Sequence, residues 1–249
     1  KHLNQNKYVP YPVRIDRDKW VYVDAQNNEH PIDKNDFSVT VNGRKITFDA
    51  VFNAIHGTPG EDGYLQAYFN LIGLPLTGCS MYASALTFNK RDMLSVLKPF
   101  GILSAPSYYL NKGENYNTAD IVAKVGLPCF VKANRSGSSI GVFKAYDEKD
   151  IDQAIEKAFE VDTEVIIEEF LKGTEVSVGV ITYHGKKRVL PITEIVSEND
   201  FFDYEAKYEG ASQEITPARI DEPTRLKVEE IAKKAYKSLG MSGFSRSEY

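Results

Sequence analysis

The sequence is poor in the features that staple, anchor or thread a chain. Only two of its 249 residues are cysteine, Cys79 and Cys129, and they have no metal-ligand spacing. That argues against a disulfide scaffold and for buried thiols in a reducing compartment. No apolar run approaches the roughly 18 residues a bilayer span requires. The net charge is −5 and no basic patch or arm stands out, which speaks against a nucleic-acid partner. Internal repeats and low-complexity linkers are missing. So is the string GxxxxGK[ST], which excludes a P-loop. The chain begins at Lys1 without a methionine and stops at Tyr249 inside what reads as a strand. Both ends are therefore expected to be cut, and the lack of a signal peptide decides nothing.

What is present is an ordinary globular composition, 42% hydrophobic and 26% charged, with length for more than one core. Lys7 to Val23 reads as one or two short strands, and Asn42-Gly43 as a hairpin turn between VTV and ITF. Phe48 to Gly57 is nearly all apolar and predicts a strand buried on both faces of a parallel sheet. His56 to Gly63 would then lie at its C-terminal end, where open α/β sheets bind ligands. Helices are expected over Tyr64–Ile72, Ser80–Leu97 (stopped by Pro99), a short stretch capped by Thr118 and ended by Gly126, Glu148–Phe159 (capped by Asp147), and Pro223–Leu239. Strands are expected over Ser104–Leu110, LPCFVKA, Val165–Phe170, Glu175–Tyr183 and Arg188–Ile195, with a turn at His184-Gly185, and from Phe244 onward. Ser197–Ala218 has no clean period and reads as a long loop of the kind that is usually functional or disordered.

Chemistry concentrates in VKANRSGSSIGVF, Val131 to Phe143. Lys132 ends one strand, Ser136-Gly137-Ser138-Ser139 form a small-residue loop, and a second strand opens at Gly141. Such a loop can turn backbone N–H groups and hydroxyls toward an anion, and the lysine adds a point charge suited to phosphate. Taken alone, the loop also reads as a turn-rich hairpin, and Lys132 as a solvated lysine. Glu168 and Glu169 close VIIEEF on opposite faces. Arg246 and Glu248 share one face of the last strand.

HGTPGEDG, the lysine loop, VIIEEFLKGTE, FFDYEAKY and GFSRSEY follow one another in that order. Together they resemble the D-alanine–D-alanine ligase family, of the ATP-grasp type, from about Phe48 to Tyr249. The resemblance implies an α/β fold, α+β in its ATP-grasp part. Residues 1–78 would be an incomplete parallel-sheet N-terminal domain for substrate. Residues 79–165 would be a central ATP-grasp subdomain with the phosphate loop. Residues 166–249 would be a truncated C-terminal ATP-grasp subdomain holding the lid loop and the start of a metal site, the sheets of both subdomains being mainly antiparallel.

The same resemblance assigns roles. Lys132 and Lys90 would bind the phosphates of ATP, with Ser138 and Ser139 in the phosphate cover and Ser138 also orienting a tyrosine. Glu168 would face the adenine amino group, backbone groups of Glu169 and Leu171 the base edge, and Glu175 the ribose. Lys207 and Tyr208 would belong to a lid, with Tyr208 near the second D-alanine, where a tyrosine favours a peptide product; Phe202 replaces a tyrosine of many members. His56 and Glu61 would line the site of the first D-alanine. Arg246 would stabilise a tetrahedral intermediate, and Glu248, aspartate in many members, would fall on a metal-ligand position. The implied cofactors are ATP and Mg²⁺ or Mn²⁺. The implied partner is D-alanine, with no nucleic acid or membrane, in a cytoplasmic homodimer serving cell-wall precursor synthesis. The family's N-terminal Gly-rich turn and its Glu-x-Asn strand are not found, so this chain alone is expected to be nearly inactive. An ATP-grasp ligase for another carboxylate and amine, and a non-catalytic nucleotide-binding module, stay open; HGxxGEDG and DYEAKY argue against the first.

Overall fold

The structure is a computed structural model and describes residues 3–197 and 212–249. The chain divides into two units, Lys1–Phe52 with Tyr68–Leu76, and Asn53–Ala67 with Thr77–Tyr249.

In the first unit Val13–Asp16 (β1), Lys19–Val23 (β2), Glu29–Asp33 (β3), Ser38–Val41 (β4) and Arg44–Ile46 (β5) form an antiparallel meander in sequence order. The turn between β4 and β5 falls on Asn42-Gly43, as the sequence predicts. Aromatic rings fill its core: Phe37 packs edge-on against Phe69 at 4.7 Å, and Trp20 against Tyr68 at 5.1 Å. Phe69 belongs to helix Tyr64–Leu71 (α1).

The expected buried strand over Phe48–Gly57 is not formed. A parallel strand needs ladder partners, and here Val51 makes one isolated bridge to Leu76. Phe52 is 67% exposed.

The second unit opens with Met81–Phe88 (α2) and Lys90–Leu97 (α3), two helices where one long helix was expected. Asn89 breaks them: its backbone is extended (φ −93°, ψ 103°), and its side chain accepts the Asp92 N–H to cap α3. Then come Ser107–Asn111 (β6), Thr118–Val125 (α4), Cys129–Ala133 (β7), Val142–Ala145 (β8), Glu148–Val161 (α5) and Glu164–Glu169 (β9). Asn117, not Thr118, caps α4: its backbone is extended and its side-chain oxygen accepts the Ala119 N–H at 3.0 Å. Asp147 and Asp150 make a reciprocal capping box on α5. The strands assemble as an antiparallel sheet in the order β6-β9-β7-β8. One face of β7, Cys129, Val131 and Ala133, is fully buried with Ile151 and Ile155 of α5 and Ile167 of β9. Each of the valine and isoleucine side chains contributes about 1.5–3 kcal/mol.

A second sheet is built on the central strand Glu175–Tyr183 (β10). Lys186–Val189 (β11) and Thr193–Ser197 (β12) share one edge of it. The expected single strand over Arg188–Ile195 is thus two, interrupted at Pro191, which cannot donate to a ladder. Ser212–Ile215 (β13) pairs with β12, so part of the expected long loop is strand. Glu222–Ser238 (α6) packs Ala232 and Tyr236 on β10. Phe244–Glu248 (β14) takes the other edge of β10. Among the described residues no helix is long and apolar enough to cross a membrane.

Candidate active site

The period of β7 sorts its side chains. With 129, 131 and 133 in the core, Phe130 and Lys132 must face away from it, alongside Lys144 of β8 and Glu168 of β9. Lys132 Nζ donates to Glu168 Oε2 at 2.7 Å and stands 5.2 Å from the centroid of the Phe130 ring. Both charges are mostly shielded, at 26% and 13% side-chain exposure. Lys144 Nζ lies 4.1 Å over Phe170, whose ring is 5.9 Å from that of Phe130. Two ammonium groups, a carboxylate and an aromatic wall therefore share one face, an arrangement able to hold a flat ring and an anionic tail. Glu169 lies on the opposite face, in register with Cys129. Leu171 follows the strand at 64% exposure, and Glu175 begins β10.

Beyond Lys132 the chain turns through residues 134–141. Ala133 N–H donates to Gly141 O, closing the base of the loop at 2.8 Å. A side chain at Gly141 would meet Ala133 Cβ at 2.9 Å in a left-handed backbone of φ 70°, so only glycine fits. At the tip Ser138 and Ser139 both hold positive φ, 53° and 58°. Two successive non-glycine residues in that region are strained, as functional loops often are.

The stem is held from two sides. Lys90 Nζ donates to the carbonyls of Ala133, Asn134 and Ser136 at 3.0, 3.2 and 2.8 Å. Opposite, the Arg135 guanidinium and backbone N–H both bind Asp162, at 2.6 and 2.7 Å. Burial pushes the Asp162 carboxyl up, but these bonds outweigh it and hold it below the usual range.

The HGTPGEDG segment borders the same loop. Glu61 Oε2 accepts the Gly57 N–H at 2.5 Å, and Glu61 Oε1 lies 4.0 Å from His56 Nδ1. A Cβ on Gly137 would come within 3.7 Å of Glu61. Burial raises the Asp62 carboxyl above its ordinary value. A cleft of about 1030 Å³ lies here, lined among others by His56, Gly57, Asp62, Ser136, Gly137 and Ser138. Arg246 and Glu248 sit together on β14, Nη2 to Oε1 at 3.3 Å, with 66% and 40% side-chain exposure. No group of three or more acidic, histidine or cysteine side chains that could hold a metal ion occurs among the described residues. Lys207, Tyr208 and Phe202 lie outside them.

The structure thus joins Lys132 with Glu168, sets Lys90 beneath the Ser/Gly loop, and brings His56 and Glu61 to that loop. Arg246 and Glu248 form their own pair. Sequence reasoning missed Phe130, Lys144, Asn134 and the Arg135–Asp162 brace. Alternation in CFVKA could have placed Phe130 beside Lys132; the others depend on contacts between distant segments.

Comparison with known proteins identifies the family. The family model described as D-ala D-ala ligase N-terminus matches residues 1–79, and the one described as D-ala D-ala ligase C-terminus matches residues 96–249. The D-alanine–D-alanine ligase of Flavobacterium johnsoniae is 67% identical over 249 residues, spanning 100% of this chain and 77% of that protein. The solved structure of the VanG D-Ala:D-Ser ligase from Enterococcus faecalis has a TM-score of 0.83 at 34% identity, covering 99% of this chain and 77% of the other. That of the Bacillus anthracis D-alanine–D-alanine ligase complexed with ATP has a TM-score of 0.68 at 29% identity, covering 81% and 63%. With both family models matched and a relative 67% identical across the whole of this chain, this chain belongs to the D-alanine–D-alanine ligase family.

Proposed function

We propose that the protein uses ATP to join two D-alanines into D-alanyl-D-alanine for peptidoglycan precursors. The observation that carries the reading is the Lys132–Glu168 pair beside a loop stem clasped by Lys90. Adenine stacks along the Phe130–Phe170 wall with its amino group on Glu168, the backbone of Glu169 and Leu171 along its edge, and the ribose on Glu175. The ion pair between Lys132 and Glu168 is then exchanged for two contacts of opposite kind, phosphate on the lysine and an N–H donor on the carboxylate.

The first D-alanine binds in the cleft by His56 and Glu61. Its carboxylate oxygen attacks the γ-phosphorus of ATP, the bond to the bridging oxygen breaks, and ADP leaves with that electron pair. Such a transfer depends on positioning and charge neutralisation, which Lys90, Lys132 and the Ser138–Ser139 cover provide. Ser138 also orients a tyrosine. The amine of the second D-alanine, placed by Tyr208, then attacks the acyl carbon of the acyl phosphate. Arg246 stabilises the oxyanion of the tetrahedral intermediate, which collapses to the peptide and phosphate. The lid bearing Lys207 and Tyr208 excludes water from the acyl phosphate.

Glu248 would give one ligand to Mg²⁺ or Mn²⁺. A single carboxylate hydrogen-bonded to an arginine is not by itself a metal site, and no step here runs through the ion. A homodimer working in the cytoplasm, where ATP is supplied, completes the proposal.

The test is product analysis with ATP and D-alanine, D-serine or D-lactate as the second substrate. D-alanyl-D-alanine as the main product, with one ADP per peptide bond, is expected. A depsipeptide, or ADP release indifferent to the enantiomer of alanine, would overturn the assignment.

A further inference from the structure

We propose that Asn134 is a positioning residue that sets the reach of Lys90 toward the triphosphate; the inference rests on the nucleotide reading of the cleft. Asn134 is only 1% exposed, although it sits at the start of a surface loop. Every polar group of its side chain is used. Its Oδ1 accepts the Arg91 N–H at 2.9 Å, and its Nδ2 donates to Asn89 Oδ1 and Glu164 Oε2, both at 2.8 Å. An N–H faces the oxygen and two acceptors face the nitrogen, so the orientation of the amide is fixed by its neighbours.

The main chain of Asn134 joins the same knot. Its carbonyl accepts from the Lys90 N–H at 3.3 Å and from Lys90 Nζ at 3.2 Å, and its own N–H donates to Glu164 O at 2.9 Å. The first N–H groups of a helix have no partner within it. In α3, Asn134 takes those of Lys90 and Arg91, and Asn89 takes that of Asp92. A residue more than forty positions away in sequence therefore completes the cap of α3. Lys90 is the first residue of that helix, so the geometry that Asn134 fixes is the geometry from which the Lys90 ammonium reaches the loop.

A cap that served stability alone would affect every ligand equally. A positioning role predicts selectivity, because Lys90 meets phosphate while the base end lies at Glu168. Separate calorimetric titrations with ATP and with adenosine, at matched temperature and on folded protein, distinguish the two. In Asn134→Ala the Kd for ATP is expected to rise about tenfold, the scale of one weakened charge-assisted contact, and that for adenosine to stay within about twofold. Asn134→Asp keeps the volume and the acceptor for Arg91 but loses both donors, and serves if the alanine variant fails to fold. In a Lys90→Ala background the Asn134 change is expected to leave ATP affinity within about twofold, because its effect passes through Lys90. Equal weakening of ATP and adenosine, unchanged ATP binding, or additive effects of the two changes would each overturn the positioning role alone. Wild-type protein that binds neither ligand would overturn the nucleotide reading as well.

Discussion

The two charged pairs proposed to serve the site are built in opposite ways. At the lysine end, Lys132 and Glu168 are largely shielded and hydrogen-bonded, and Lys90 holds three carbonyls of the loop stem. At the arginine end, Arg246 and Glu248 stand on β14, exposed and, among the described residues, paired with each other across a 3.3 Å contact. Shielded pairs are costly to break because a charge is left without a partner, whereas exposed pairs contribute little. The first end is therefore part of what holds the fold, and the second is free to serve chemistry without supporting structure.

Substitution at each end separates these roles. Lys132→Met keeps the apolar stem and removes the charge. The ATP-dependent rate is expected to fall about 10³-fold, within the range for a lost cation at a transferring phosphoryl group. Stability should fall too, by about 1–3 kcal/mol, because Glu168 is left shielded and unpaired. Arg246→Ala is expected to lower kcat about 10²-fold or more, the usual loss for one oxyanion donor. Its thermal midpoint should stay near wild type, within about 0.5 kcal/mol of stability. ADP release and thermal unfolding on the same preparations test both, and equal destabilisation at the two ends would erase the contrast.

A third change probes the loop between the lysines. Gly141→Ala places a methyl group 2.9 Å from Ala133 Cβ and 3.1 Å from Val161 Cγ2 in a left-handed backbone. The combined cost of conformation and overpacking is about 3 kcal/mol. Chemical denaturation should register it, together with weaker ATP binding as the loop base shifts. A variant as stable as wild type would mean that the loop base is more pliant than its packing indicates.

Much of the lysine end was legible in the sequence because it is local. Strand alternation places Lys132 and Glu168, and a Gly/Ser run marks the turn between β7 and β8. The break between α2 and α3 was not legible: residues 80–97 keep a helical character, and Asn89 becomes a cap because Asn134 and Asp92 supply its partners. The apolar run at 48–57 failed for a related reason. Hydrophobicity records a preference for burial, but a strand also needs neighbours, and Val51 has one. Conversely, β13 was hidden because three of its four residues are polar and its order comes from pairing with β12.

The smallest effect is expected from a region near the arginine end that is, unlike Arg246–Glu248, firmly tied. Glu194 on β12 accepts from the Arg219 side chain at 2.8 and 2.9 Å and from the Arg219 N–H at 3.0 Å. The arginine beside it holds the Glu194 carboxyl well below its ordinary 4.5, at about 2. A carboxyl whose pKa is lower in the folded state binds its proton more readily when unfolded, so its contribution is complete above the ordinary value and fades as acid takes the pH down through about 2. Arg219→Ala removes the cause. The stability difference between wild type and variant should therefore be constant near neutral pH and shrink as the pH drops below the ordinary carboxylate value. Asp24 and Asp36, also held at about 2, titrate alike in both proteins and cancel in the difference. Urea midpoints measured across that range decide the matter. A difference that stays flat into acid would show that Arg219 contributes through packing of its stem rather than through charge, and the Glu194–Arg219 contact would then not be an electrostatic tie to set against the exposed pair on β14.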